Sequence, residues 1–277
     1  MKISRFISII LVVATAAATM SIVALAAGNL VVTPTNTQGF TTADTKPGGA
    51  VSFVVDASAP AGNGALRLTT DASTTSKAQY MHDTNTPLSS VTALGYWTKQ
   101  VSAPFAGADA SYQLPVCLGG FGAPSQTNPT GCIAFTTFVF EPYQSNGCCT
   151  SIPVGAWQQW DVAAGSFWSS RTANAGGSCT TTAGFGGAPF YTLPQIKAAC
   201  PSAVVVGFGV NIGSNNPSYD VYTDLLNFNG TVYDFEPFAV ATDKDQCKNG
   251  GFASVKRSDG SSFKNQGDCI QYVKTGK

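Results

Sequence analysis

The sequence predicts an all-β protein, an antiparallel β-sandwich with one short helix and a disulfide-closed C-terminal hairpin. Three observations support this prediction: alternating bulky and small residues, frequent Gly- and Pro-rich turn signals, and eight cysteines in a chain with few charges. Of the 277 residues, 29 are Gly, 15 are Pro and only 11% are charged. Such a chain has too little charge for a disordered protein and too many turn formers for a helical one.

The densest strand signals begin at Ala203–Asn211. In this segment Val204, Val206, Phe208 and Val210 alternate with smaller residues, which predicts a strand with one core-facing side. Turn-forming residues follow at Gly213–Pro217, and Tyr219–Phe228 reads as a second strand. Asn229-Gly230 is a strong hairpin signal before a third strand, Thr231–Phe235.

The N-terminus predicts secretion. Lys2 and Arg5 precede an apolar stretch from Phe6 to Val23, and small residues follow at Ala24–Ala27. These features are typical of a secretory signal peptide, here residues 1–27. An uncleaved membrane anchor is the alternative, because the apolar stretch is nearly long enough to span a bilayer. We expect a secreted, extracellular or cell-surface protein that has no membrane association after cleavage.

The charge of the secreted chain limits its partners. Without Lys2 and Arg5 the chain has 13 basic and 15 acidic residues. This small negative balance argues against nucleic acid and against anionic membrane surfaces as partners. The remaining length suits a single sandwich domain over residues 28–238 and a short C-terminal motif over residues 239–277.

Eight cysteines in a secreted chain predict four disulfide bonds. Pairing between near neighbours closes three loops, each stabilised by about 3 kcal/mol through the entropy of loop closure; the pairs are Cys117–Cys132, Cys179–Cys200 and Cys247–Cys269. Cys148 and Cys149 remain, and either they bond to each other or one of them exchanges into the first pair. A zinc site is the competing interpretation, but the chain has a single histidine and no C-x-x-C pair.

Strand patterns cover most of the remaining chain, and one helix is expected. The predicted strands are Leu30–Thr33, Ala50–Asp56, Ala65–Thr70, Lys77–Met81, Leu94–Lys99, Ala110–Leu118, Ile133–Glu141 and Trp157–Val162. Thr192–Cys200, with Pro194 near its first turn, carries the one clear helix signal. Between the Trp157–Val162 strand and this helix, residues 163–187 form a glycine- and serine-rich loop segment.

Several of these segments carry a family resemblance. The Pro47-Gly48-Gly49 turn, the G-x-G-A-L-R-L-T-T run at Gly62–Thr70, the W-x-x-W-D-V strand at Trp157–Val162 and the Tyr233–Glu236 end resemble jelly-roll domains of secreted bacterial proteins, of the carbohydrate-binding-module type. The resemblance covers roughly Leu30–Phe238 and implies a jelly-roll-like sandwich. It says little about the ligand, because unrelated functions share this architecture.

A second resemblance lies at the C-terminus. Cys247-Lys248-Asn249-Gly250-Gly251-Phe252 and Phe263–Cys269 resemble a short motif, C-K-N-G-G-W…F-K-N-Q-G-x-C, at the ends of secreted bacterial proteins. Phe252 stands where the motif has Trp. The motif implies no activity. We expect a small disulfide-closed hairpin that rests on the sandwich and carries an excess of basic residues, as a solvated tail or as a contact for an anionic cell-wall glycan.

Candidate binding residues follow from aromatic and amide side chains on strands. Sugars stack their C–H faces on aromatic rings and hydrogen-bond to amides and carboxylates. The predicted ligand-binding set, expected on one sheet face, is Trp97, Gln113, Trp157, Gln159, Asn211 and Asp220. Gly207 and Gly209 would keep this face shallow. The alternative is that loops cover the face and its aromatic residues form a second layer of core.

Catalytic and metal-binding patterns are weak, and we predict no catalytic residue, metal site or cofactor. His82 has no nucleophile motif beside it. The two glutamates, Glu141 and Glu236, both lie in Phe-Glu-Pro, which suits a strand end better than a catalytic pair. Asp220 and Asp224 flank Tyr222 on a strand, where they reach water or a ligand, or hold a calcium ion with loop carbonyls.

The sequence therefore favours non-catalytic recognition of a polysaccharide or cell-wall glycan. A structural surface protein without a small ligand is the first alternative, and a polysaccharide hydrolase or lyase is the second. The sequence does not predict an oligomeric state.

Overall fold

Two seven-stranded β-sheets face each other across one shared apolar core. The computed structural model describes residues 29–126, 128–145 and 151–277. The predicted signal peptide and the Cys148 and Cys149 alternatives lie outside these residues. The predicted all-β sandwich is confirmed.

The chain forms sixteen strands and three α-helices in the described residues. In chain order the strands are β1 Leu30–Val32, β2 Phe40–Thr41, β3 Gly49–Val55, β4 Gly64–Thr70, β5 Ala78–Pro87, β6 Leu94–Ser102, β7 Ser111–Cys117, β8 Phe135–Phe140, β9 Gln158–Asp161, β10 Ser166–Ser169, β11 Ala173–Asn174, β12 Thr180–Thr181, β13 Phe190–Thr192, β14 Val204–Ile212, β15 Asp220–Phe228 and β16 Thr231–Phe235. The helices are α1 Pro142–Ser145, α2 Leu193–Ala199 and α3 Gln266–Thr275.

The first sheet is built around β15. One edge of β15 pairs with β6, which pairs with β9, while its other edge pairs with β4 and β16 along different halves of its length. Strands β3 and β1 complete the sheet beside β4 and β16. The second sheet has the order β13-β10-β8-β7-β14-β5-β2. The β1–β16 pair is parallel and the other pairs of these sheets are antiparallel.

The turn at Gly213–Pro217 connects the two sheets. Strand β14 before it belongs to the second sheet, and β15 after it belongs to the first. The Asn229-Gly230 signal, by contrast, does form the β15–β16 hairpin, with both residues at positive φ (53° and 91°). Two strands that are adjacent in sequence therefore lie on opposite sides of the core.

A β-bulge changes the inward-facing set of β14. The register with β5 shifts between Val205 and Gly207. Val205 is therefore fully buried, whereas Val204 and Val206 are half-buried and Val206 lines the outer face of the sheet. Phe208 and Val210 face the core as predicted. Continuous alternation through Val204 and Val206 was the wrong prediction, because an inserted residue reverses the side on which its neighbours lie.

The core takes bulky residues from both sheets. The first sheet contributes Leu66, Leu68, Leu94, Tyr96 and Val221, and the second contributes Leu114, Val116, Phe138, Phe140 and Phe208. Trp160 in β9 and Val162 just after it are also buried. Burial of apolar surface on this scale is the main stabilising contribution to such a sandwich.

Helix α2 lies at the predicted position and has a capping box. Thr192 accepts a hydrogen bond from the backbone N–H of Gln195, and the Gln195 side chain accepts one from the N–H of Thr192. Pro194 lies in the first turn, where its missing N–H costs no helical hydrogen bond.

The C-terminal segment has a small apolar cluster of its own. Its buried members are Ala241, Cys247, Val255, Phe263 and Cys269. The segment also contains α3, where the sequence predicted only a hairpin. Asn265 caps this helix by accepting a hydrogen bond from the N–H of Asp268, and Gly276 ends it at a φ of 72°.

The three predicted disulfide bonds are confirmed. Cys117 bonds to Cys132, Cys179 to Cys200 and Cys247 to Cys269. None of the helices in the described residues has the length and apolar content needed to span a bilayer.

Candidate functional site

A groove of about 970 Å³ runs over the outer face of the second sheet. Its lining comes from six strands, from β10 at one end to β2 at the other. The side chains that line it point away from the core, because they alternate with the inward-facing residues of the same strands. The groove is therefore a surface feature of one sheet and does not enter the sandwich.

A mainly apolar row of residues crosses the groove floor. Each member is the cross-strand partner of the next, so the order across the sheet is Trp168, Val139, Gln113, Gly209, Met81 and Thr41. The row spans five strand spacings, or about 24 Å. Phe190 of β13 extends it by one strand beside Trp168.

Glycine is required at the centre of this row. A β-carbon on Gly209 would lie 2.2 Å from the carbonyl oxygen of Tyr80 and 2.8 Å from the sulfur of Met81. The carbonyl oxygen of Tyr80 and the sulfur of Met81 occupy the space that a side chain at position 209 would need. That Gly207 and Gly209 keep a binding face shallow stays a prediction.

A polar row runs beside the apolar one. Ser111, Asn211 and Gln79 are cross-strand partners, and Glu141 follows the Phe140–Tyr112 pair at the same level. Hydrogen bonds fix the amide groups: Gln113 Nε2 donates to Ser111 Oγ (2.8 Å) and Asn211 Nδ2 donates to Gln79 Oε1 (3.1 Å). The amides are held in place before any ligand arrives.

Glu141 and Trp168 meet at one end of the groove. Trp168 Nε1 donates a hydrogen bond to Glu141 Oε2 at 2.8 Å. Burial raises the pKa of Glu141 to about 7, and the bond from Trp168 offsets part of this increase. This end of the groove thus has an indole ring beside a carboxyl group that titrates near neutral pH.

Phe185 lies on the rim at the same end. Its side chain is 85% exposed and lines the groove together with Gly186. Arg171 and Phe135 also line this end, with the guanidinium carbon 5.2 Å from the ring centroid of Phe135. The opposite end, around Lys46 and Ser214, is polar.

The six predicted ligand-binding residues do not share one face. Gln113 and Asn211 line the groove on the second sheet. Trp97 and Gln159 are cross-strand partners in the first sheet, Trp157 directly precedes β9 of that sheet, and Asp220 begins β15. The expectation of a single face was wrong because β7 and β14 belong to one sheet and β6, β9 and β15 to the other.

The predicted residues that lie in or beside the first sheet are surrounded by ion pairs. Arg67 and Asp220 form a bidentate pair, with N–O distances of 2.9 and 2.8 Å. The ammonium of Lys99 pairs with Asp56 and lies 5.8 Å from the ring of Trp157 and 5.4 Å from that of Tyr222. These charged groups of the first sheet therefore have partners within the chain.

His82 packs between aromatic rings. Its ring centroid is 5.0 Å from that of Phe208 and 5.1 Å from that of Phe40. Phe40 also stacks on Tyr80, so the rings of His82 and Tyr80 pack on the same side of β5. These contacts hold the imidazole by packing.

Glu141 and Glu236 occupy separate places. Glu141 follows β8 in the second sheet, whereas Glu236 follows β16 in the first and accepts a hydrogen bond from the N–H of Asn63. Burial raises the pKa of Glu236 to about 7 and that of Asp224 to about 8, and Asp234 adds to both effects. Asp220 and Asp224 therefore have different partners, and in the described part of the chain no group of three or more His, Cys, Asp or Glu residues is arranged to hold a metal ion.

Sequence reasoning missed Trp168, Met81 and Phe185 as groove residues. Trp168 lies in the glycine- and serine-rich loop segment, where strands of two to four residues are too short to show alternation. The Phe167-Trp168 pair was the available signal: Phe167 is fully buried, so its neighbour on a strand must face outward.

Comparison with known proteins gives no assignment. No protein-family model matches the chain, and no curated protein matches it. The likeness to carbohydrate-binding modules is a resemblance of short motifs, and the functional argument depends on the groove.

Proposed function

We propose that this protein binds a glycan chain in the groove of the second sheet, without cleaving it. The observation that carries the proposal is the pair of parallel rows on the groove floor. One row offers an aromatic and aliphatic surface from Trp168 to Met81, and the other offers fixed amide groups at Asn211 and Gln79. A sugar polymer presents the same two features, apolar C–H faces and hydroxyl groups.

The dimensions favour an extended chain. A floor of about 24 Å is much longer than one sugar ring and suits several linked rings lying across the strands. Because Gln113 and Asn211 are held by neighbouring side chains, binding would cost little side-chain entropy. The amides of Gln113, Asn211 and Gln79 are thus preorganised to hydrogen-bond to hydroxyl groups.

The carboxylates of the groove favour binding over hydrolysis. Glu141, Asp83 and Asp44 line it. Glu141 follows β8, and Asp83 lies three strands away on β5, which separates their strands by about 14 Å. Glycosidases that use two carboxylates place them roughly 5 to 10 Å apart. Because the pKa of Glu141 is raised to about 7, its charge changes as the pH passes through this value. We expect the affinity for the glycan to change with it.

Secretion is part of the proposal. Three disulfide bonds fit an oxidising compartment, and residues 1–27 have the pattern of a signal peptide. The natural ligand would then be an extracellular or cell-wall polysaccharide.

The test is retention of the purified protein on insoluble polysaccharides and isolated cell walls. Met81→Arg puts a long cation on the groove floor and should abolish retention. Ser52→Arg puts the same side chain on an exposed position of the first sheet and should leave retention unchanged. If the folded, oxidised protein is retained by none of these polymers, or Met81→Arg is retained as well as the wild type, the proposal is wrong.

A further inference from the structure

Phe185 is the most exposed large apolar side chain in the described part of the chain, at 85%. Its φ is +46°, a region that a residue with a bulky side chain rarely occupies. Glycines surround it at positions 184, 186 and 187, and the N–H of Gly187 donates to the carbonyl of Gly184 (2.9 Å). A tight turn therefore holds the phenyl ring in water, at a cost in both hydrophobic and backbone free energy.

The turn is anchored beside Trp168. The N–H of Gly184 donates to the carbonyl of Ser169 at 2.8 Å. A β-carbon on Gly184 would lie 2.9 Å from Cβ of Trp168 and 2.4 Å from the carbonyl oxygen of Gly187. Glycine is thus required for the turn to pack this closely on the strand that carries Trp168.

The position of the ring suggests its use. Phe185 lines the groove at the end where Trp168 forms the floor. In the described residues its ring makes no stacking contact with another aromatic side chain. An exposed aromatic side chain at the edge of a groove gains most when a ligand with an apolar face covers it.

We propose that Phe185 covers a sugar ring that stacks on Trp168, so that the groove holds this ring between two aromatic side chains. This inference rests on the proposed function and specifies its substrate class. A ring held on both faces must present C–H groups on both faces. Pyranoses whose substituents are all equatorial, such as those of β-linked glucose and xylose polymers, meet this requirement.

Axial hydroxyls do not fit between two aromatic side chains. A ring of β-1,4-mannan has an axial hydroxyl at C2, which would be pressed against an aromatic face and lose its hydrogen bonds to water. In β-1,4-galactan the axial oxygen at C4 belongs to the glycosidic bond, so the neighbouring sugar itself would project toward an aromatic face. The groove should therefore bind β-1,4-glucan or β-1,4-xylan chains in preference to β-mannan or β-galactan chains of equal length.

The experiment is calorimetric titration of the purified protein with cellohexaose, xylohexaose, mannohexaose and a β-1,4-galactan hexasaccharide. Phe185→Ala should bind its best hexasaccharide roughly tenfold more weakly, through loss of one stacking contact. Phe185→Tyr should retain the wild-type affinity. Phe121→Ala is the matched control, because Phe121 is 48% exposed and does not line the groove.

The outcomes separate this inference from the proposed function. Equal or tighter binding of the mannose or galactose chain, or wild-type affinity of Phe185→Ala while Trp168→Ala weakens binding, overturns the inference and leaves glycan binding in place. Failure to bind any of the four hexasaccharides overturns the inference as well. Glycan binding itself is overturned by the separate retention assay with insoluble polymers.

Discussion

Trp168 Nε1 donates a 2.8 Å hydrogen bond to Oε2 of Glu141, and both residues line one end of the groove. The bond fixes the indole ring at the end of the apolar row. It also joins the ring to a group whose pKa burial raises to about 7. The indole ring of Trp168 is thus hydrogen-bonded to a carboxyl group whose charge changes near pH 7.

Glu141 should make stability depend on pH. Its pKa is raised on folding, so the folded state holds a proton that the unfolded state has lost between about pH 4.5 and 7. The free energy of unfolding should therefore fall as the pH rises through this window. Glu141→Gln keeps an oxygen acceptor for Trp168 and cannot ionise, so it should show a smaller fall. Urea unfolding at pH 4.5 and 8 measures this fall in the free energy of unfolding for both proteins. An equal fall in the wild type and in Glu141→Gln would contradict this account.

Asp224 should give a similar effect at higher pH. It is fully buried, Oδ1 accepts the N–H of Phe235 (2.9 Å), and burial together with Asp234 and Glu236 raises its pKa to about 8. Asp224→Asn retains the Oδ1 acceptor and removes one of three neighbouring acidic charges. Between pH 4 and 8 its stability should gain at least about 1 kcal/mol relative to the wild type, because one pKa unit corresponds to about 1.4 kcal/mol. Thermal unfolding of both proteins across this pH range measures the difference in stability. If that difference is the same at pH 4 and pH 8, the prediction is wrong.

Phe208 should be a critical core residue. It is 1% exposed, and its ring lies 4.1 Å from that of Phe228 and 5.0 Å from that of His82. Phe208→Ala should lower the free energy of unfolding by about 3–5 kcal/mol. The exposed Phe121→Ala variant should change it by less than about 0.5 kcal/mol. Chemical denaturation of both variants provides the test, and similar small losses would show that the ring does not stabilise the core.

The Cys247–Cys269 bond should stabilise the C-terminal segment and not the sandwich. The bond closes a loop with a sequence separation of 22, and both cysteines belong to an apolar cluster distinct from the main core. Replacing both cysteines with Ser should cost about 3 kcal/mol locally. Hydrogen exchange should accelerate in residues 239–277 and stay unchanged in β14 and β15. Acceleration throughout the sandwich would mean that the two parts unfold together.

Local patterns were sufficient to predict most strands, the short helix and three disulfide bonds. Alternation along strands, Pro194 near the first turn of the helix and the spacing of neighbouring cysteines are all signals within short stretches of sequence. Short sequence patterns do not show which of the two sheets a strand joins. Asn211 and Asp220 are nine positions apart, but the turn between them crosses from one sheet to the other, which divides the predicted binding set.

The remaining parts of the site depended on contacts that the sequence does not display. The bulge at Val205–Gly207 reverses which side chains reach the groove, and it is defined by pairing with β5. Trp168 gains its role from its cross-strand neighbours Val139 and Phe190. The exposure of Phe185 follows from a turn held against Trp168, which no residue pattern in the 163–187 segment indicates.

The most direct test of the central claim compares binding isotherms of Trp168→Ala and Trp97→Ala for the polysaccharide that retains the wild-type protein best. Trp168 lies on the groove floor, and Trp97 lies in the opposite sheet. We predict that Trp168→Ala loses at least tenfold in affinity, by about 1.4 kcal/mol or more, while Trp97→Ala binds like the wild type. Loss of binding in Trp97→Ala with full binding in Trp168→Ala would contradict the account and move the site to the first sheet.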